Sequence, residues 1–111
     1  MKRIALVFLL FALVAAAQTT HSVTLTWADT LNPAGTTYSI YRATGLCSGT
    51  PVFSKVASAI TVKTYQDTTV QPGNYCYTAT ATINGMESAQ SNTALAPVPS
   101  FAPTGLSVTV Q

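Results

Sequence analysis

From Tyr75 to Thr82 the chain reads YCYTATAT. Successive side chains of a strand point to opposite faces, so this alternation sets Tyr75, Tyr77, Ala79 and Ala81 on one side and Cys76, Thr78, Thr80 and Thr82 on the other. The tyrosine face is the buried one, and the cysteine's odd parity turns it away from the core. A segment with this period commits the chain to a sheet, and a sheet needs partners of the same kind.

Those partners are legible on both sides. Val23, Leu25 and Trp27 alternate with Ser22, Thr24 and Thr26 in a first strand. After the breaker-rich stretch ADTLNPAG, Tyr38 and Ile40 alternate with Ser39 and Tyr41 in a second, and TGLCSGTP then carries turn residues around Cys47. A third strand covers Val52–Val56. Residues 59–65, AITVKTY, read as a fourth, with a bulge needed to reconcile Ile60 and Val62 with Tyr65. QDTTVQPGN is the next turn, the YCYTATAT strand is the fifth, NGMES is a hairpin-type turn, and Ala89–Ala96 is the sixth strand. Short strands with turn signals every ten or so residues, and no helical period among them, predict an antiparallel β-sandwich.

The ends differ from this pattern. Met1, Lys2 and Arg3 are followed by an apolar run from Ile4 to Val14 and by Ala15–Ala17, the layout of a secretory signal peptide. The run is well short of the roughly 20 residues that cross a bilayer, so cleavage after Ala17 is expected and residues 1–17 are set apart from the domain. The remainder balances Arg42, Lys55 and Lys63 against Asp29, Asp67 and Glu87. A neutral, threonine-rich chain has no electrostatic footprint for nucleic acid or an anionic membrane. Cys47 and Cys76 are the only cysteines, and in an exported chain a disulfide between them is the natural reading. The competing reading is two free thiols or half a metal site, but two cysteines and one distant histidine do not make a zinc set.

SVTLTW, YSIYRA, YQDTTVQPGNYCYTATA and NGMESAQSN together resemble strands B, C, E to F and F to G of a fibronectin type III domain, of the kind common in secreted bacterial proteins. The resemblance covers Ser22–Ala96 and implies an all-β, antiparallel immunoglobulin-like sandwich of fibronectin type III type with about six to seven strands. Trp27 matches that family's core tryptophan, with Tyr38 and Tyr77 also at core parity. Tyr75, just after Pro72-Gly73, matches the tyrosine whose hydroxyl ties the start of its strand to the preceding loop. The same topology implies that the loop holding Cys47 lies near Cys76 and is clamped to the outer face of its sheet. Taken this way, 18–96 is the domain and 97–111 a proline-rich linker with a strand-like end.

Where the family has its first strand, only Gln18–His21 precede Ser22. FAPTGLSVTVQ at the other end resembles such an opening strand. Three arrangements are open to residues 105–111: a frayed tail, closure onto the chain's own vacant edge, or exchange into a neighbouring molecule's edge to form a homo-oligomer.

Little points to catalysis. Asp67 and Glu87 flank the fifth strand, which separates them too far for a glycosidase pair, and Asp29 and Glu87 stand in turn sequences where carboxylates cap amides. His21 is the only imidazole, with Asp29 a strand's length away, so no serine-type triad is expected. No cofactor motif is present. Tyr41 is the exception among the aromatics: with Thr78 and Thr80 it falls on the outward, uncharged face, the candidate contact surface. Arg42 has core parity at a strand end and is expected to reach solvent. The implied role is a secreted, non-enzymatic binding or adhesion module for a protein or carbohydrate at the cell exterior, the alternative being a self-assembling subunit joined through 105–111.

Overall fold

A computed structural model describes residues 19–111. The signal peptide expected over 1–17 lies outside the described residues. Residues 20–100 form one compact unit. It carries seven strands and, among the described residues, no helix: β1 His21–Thr26, β2 Thr37–Thr44, β3 Ser54–Ile60, β4 Thr64–Val70, β5 Gly73–Ile83, β6 Met86–Glu87 and β7 Ala94–Val98. Residues 101–111 belong to a second unit and have no regular secondary structure.

The strands form two antiparallel sheets, β1 with β4 and β3-β2-β5-β6, with β7 also paired to β5. Side chains join the two across an interior, consistent with a β-sandwich. Trp27 meets Tyr38 edge-on at 5.4 Å between ring centres, and Asp67 of β4 receives hydrogen bonds from Arg42 of β2 and Tyr77 of β5. Ile40, Val70, Cys76 and Tyr77 are the most completely buried side chains.

Parity holds on β5. Ile40 lies opposite Ala79 and Tyr38 opposite Ala81, so large residues on β2 face small ones there, while Arg42 lies opposite Tyr77. The Asn84-Gly85 turn closes β5 onto β6, with Ile83 opposite Met86 and both turn residues at positive φ (51° and 77°), the pattern of a two-residue type I′ hairpin. Cys47 and Cys76 form a disulfide, their Cα atoms 5.1 Å apart. Cys76 lies opposite Ala43 on the outer face, so the bridge pins the loop after β2 there, and Gly45 N–H donates to the Asn74 carbonyl beside it.

The middle of the chain departs from the expected register. β3 runs to Ile60, with Ala59 at a positive φ of 56°, and Thr61–Lys63 make the turn, so AITVKTY is a corner between the two sheets rather than a strand. Residues 64–70 then form β4 where a turn was expected from QDTTV. The reason is Asp67, a turn-former by composition, which is 3% exposed here because two donors on the facing sheet neutralise it. The expected sixth strand is broken: residues 88–93 lie outside strands, and β7 continues through Pro97 to Val98 into the segment read as linker. Proline is tolerated because β7 is an edge strand.

Candidate functional site

Tyr41, Thr78 and Thr80 do share one face. Tyr41 lies opposite Thr78, and Ser39 opposite Thr80. The two threonines, however, are covered. Thr78 is 3% exposed and its Oγ1 donates to the Ser91 carbonyl at 3.1 Å; Thr80 is 5% exposed and donates to Glu87 Oε2 at 2.6 Å. The Tyr41 hydroxyl donates to the same Glu87 oxygen, and Lys55 Nζ stands 5.6 Å from the centre of the Tyr41 ring. Hydrogen bonds from Thr80 and then Tyr41 hold the Glu87 carboxyl below its usual range. Glu87 therefore organises this face; it does not cap a turn. Of the three residues, Tyr41 alone keeps part of its side chain at the surface, half-buried.

Asp29 does act as a cap. Its Oδ1 accepts from the amides of Leu31 and Asn32, and its Oδ2 from Asn32 Nδ2 and the Tyr38 hydroxyl, both at 2.8 Å. These donors, Asn32 first, lower its pKa to about 2. Such a carboxylate is a poor general base at neutral pH.

The third carboxylate is the one that sequence reasoning misplaced. Arg42 was expected to reach for solvent and instead turns its guanidinium to Asp67, Nη1 to Oδ2 at 2.6 Å. Tyr77 OH donates to the same oxygen at 2.8 Å. Tyr75, expected to tie its strand to the preceding loop, instead places its ring 5.6 Å from the Arg42 guanidinium carbon, and the tyrosine bond to β4 comes from Tyr77. Burial alone would raise the Asp67 carboxyl, but the Tyr77 and Arg42 hydrogen bonds outweigh it and the net shift is downward. Burial, then the bond to Asp67, pushes the Tyr77 phenol well above its ordinary value. This cluster carries load between sheets and exposes no reacting atom.

What does open to the outside is a cleft of about 480 Å³. It is lined by Leu25 of β1 and Trp27 just past its end, by Ile40 and Ala79, and by residues of the 88–94 segment. Two features of the sequence make it. The inward residues of β5 shrink from Tyr75 and Tyr77 to Ala79 and Ala81, which thins the core toward this end. Residues 88–93 are held to β5 partly by side chains: Ser88 Oγ accepts from Ala81 N–H and Ser91 Oγ from Ala79 N–H, both at 3.0 Å. Hydroxyls stand where strand carbonyls would, and the segment does not close over the gap.

β1 borders the same cleft and, among the described residues, pairs only with β4. Its inward residues Val23, Leu25 and Trp27 are accordingly only half-buried. Trp27 N–H donates to the Lys63 carbonyl, and bonding alternates along an antiparallel ladder, so Leu25 also bonds to β4 while the amides of Thr24 and Thr26 face the open side. The indole Nε1 of Trp27 is buried and has no hydrogen-bond partner among the described residues. The cleft was not legible in the sequence, because the irregular course of 88–93 has no signature in periodicity.

Among the described residues no three of His, Cys, Asp and Glu come together in a way that would hold a metal ion, and no helix is long and apolar enough to cross a membrane. No protein-family model matches the chain. No curated protein matches it either.

Proposed function

We propose that the protein is an exported, non-enzymatic binding module of fibronectin type III type that takes an extended polypeptide along the open side of β1. The observation that carries this reading is the coincidence of a strand edge that no described strand pairs with and a cleft lined by half-buried apolar side chains, the two features that strand addition requires. Main-chain bonds to Thr24 and Thr26 would supply affinity, and alternate side chains entering beside Leu25 and Trp27 would supply selectivity. The disulfide fits export, since such bonds persist in oxidising compartments. The order of the strands within each sheet is the support for the fibronectin type III resemblance, with β1, β2, β4 and β5 standing for strands B, C, E and F.

A carbohydrate is less well served. A sugar platform needs a free aromatic face, and Tyr41 has its hydroxyl on Glu87 and Lys55 near its ring. Titration of isotopically labelled protein with extended peptides and, separately, with soluble polysaccharides tests the reading. Peptide-induced shifts confined to Ser22–Trp27 and residues 88–94 are expected. Shifts centred on Tyr41 with polysaccharide, or none at β1 with saturating peptide, would overturn it.

A further inference from the structure

Residues 106–110 are the second unmatched element of this molecule. Leu106, Val108 and Val110 are 91%, 82% and 86% exposed, and they alternate with Ser107 and Thr109, the period of a strand with one apolar face. Three large apolar side chains in that spacing, outside any sheet, match in number and period the half-buried row of Val23, Leu25 and Trp27. Every strand pairing among the described residues is antiparallel, so an added strand that follows suit enters at the Thr26 end of β1 and runs toward His21.

Direction then separates the chain's own tail from a neighbour's. Val98 lies opposite Gly73, at the start of β5, and His21 lies opposite Val70, just before it, so β7 ends at the His21 end of β1. To start at the Thr26 end, the same chain's segment would first travel the length of β1, six residues or about 20 Å. Because β7 claims Pro97 and Val98, only Pro99–Gly105 is left to do so. Extended at about 3.1 Å per residue, that linker spans roughly 22 Å, which the length of β1 nearly exhausts before the crossing between sheets and the reversal. A second molecule has no such constraint.

We propose that Leu106–Val110 of one copy adds as an antiparallel strand to the open edge of β1 in a second copy, its three apolar side chains entering the cleft beside Leu25 and Trp27. The inference rests on the strand-addition reading above and names the occupant of that site. The added backbone brings acceptors to the Thr24 and Thr26 amides and to the orphaned Trp27 indole N–H. Reciprocal exchange closes a dimer, and one-way donation builds a chain of molecules.

Two full-length variants test it, one with a disabled donor (Leu106→Ser, Val108→Ser and Val110→Ser together) and one with a blocked acceptor (Thr24→Pro, with Thr26→Pro as its substitute should the first not fold). Proline at an outward-facing edge amide leaves the β1–β4 ladder intact. Light scattering on the unmodified protein is expected to give a mass that rises with concentration to at least twice the monomer's. Each variant alone stays monomeric, and mixing the two restores a dimer, since one retains the edge and the other the tail. Emission from Trp27, the single tryptophan, moves to the blue on mixing. A monomeric unmodified protein at all concentrations, or oligomers untouched by both variants, would sink the proposal. A synthetic 104–111 peptide and an unrelated peptide of the same alternation are added to the donor-disabled variant. If only the unrelated one shifts the Trp27 emission, the tail is the wrong occupant and the edge reading stands. If neither does, both fall.

Discussion

The carboxylate of Asp67 accepts from Arg42 and Tyr77, and each contact fixes a consequence for single substitutions. Asp67→Asn removes the charge and leaves the guanidinium facing a neutral amide. Breaking a fully buried pair costs about 3–5 kcal/mol, but Arg42 keeps 28% of its side chain exposed, so a loss of about 2 kcal/mol is expected in urea titration. Tyr77→Phe deletes one bond to a charged group and is expected to cost about 1.5–2 kcal/mol. Combined, the two lose less than the sum of their separate effects, because they share one oxygen. The folded-state pKa of Asp67 is depressed, and that of Asp29 falls to about 2. The stabilisation is therefore fully present above the ordinary carboxylate value of 3.8 and is lost as pH falls from there through the lower folded values. Thermal unfolding followed between pH 5 and 2 should show a steep loss below about pH 4, shallower in Asp67→Asn.

Among the elements, the β5–β6 hairpin is the most locally determined. Asn84 and Gly85 both take left-handed backbone angles, with φ of 51° and 77°. Asparagine tolerates this region and glycine has no Cβ to oppose it, so the dipeptide itself selects the turn. Gly85→Ala finds free space but not a free backbone: it is expected to lower stability by about 1–2 kcal/mol, with Asn84→Gly nearly neutral, as read by chemical denaturation. The β3–β4 corner is the opposite case. Its apolar residues run on through Ile60 and Val62 with no glycine or proline to mark the turn, so periodicity places a strand there. What stops β3 is its pairing with β2, whose register slips twice between Tyr38 and Tyr41.

For the molecule as a whole, the core is small and the covalent clamp correspondingly important. Few apolar side chains are fully buried, and those of β1 remain half-open. The disulfide closes a separation of 29 residues, worth about 3–4 kcal/mol in the chain-entropy model. Replacing both cysteines by serine is expected to lower the melting temperature by well over 10 °C, checked by calorimetry beside the intact protein under reducing and non-reducing conditions. Occupation of the β1 edge would raise the melting temperature in a concentration-dependent way, as binding to the native state alone must.

The sequence by itself determined the class of the protein. Alternation set the parities of β1, β2 and β5, so Cys76 was read as outward and Tyr38, Tyr77 and Trp27 as inward, and the dipeptide NG marked its hairpin. These are local properties: a strand's faces follow from spacing along one segment, and a turn from the backbone freedom of two residues. Only the tertiary structure decided the rest. Asp67 became a strand residue because Arg42 and Tyr77, 25 and 10 residues away, neutralise it in the interior. Thr78 and Thr80, outward by parity, were covered by a segment whose path no period encodes. The cleft exists because β1 has no second neighbour among the described residues and two serines hold residues 88–93 to β5 through their hydroxyls. A desolvated charge and an unfilled edge depend on what stands opposite, which spacing along one strand does not specify.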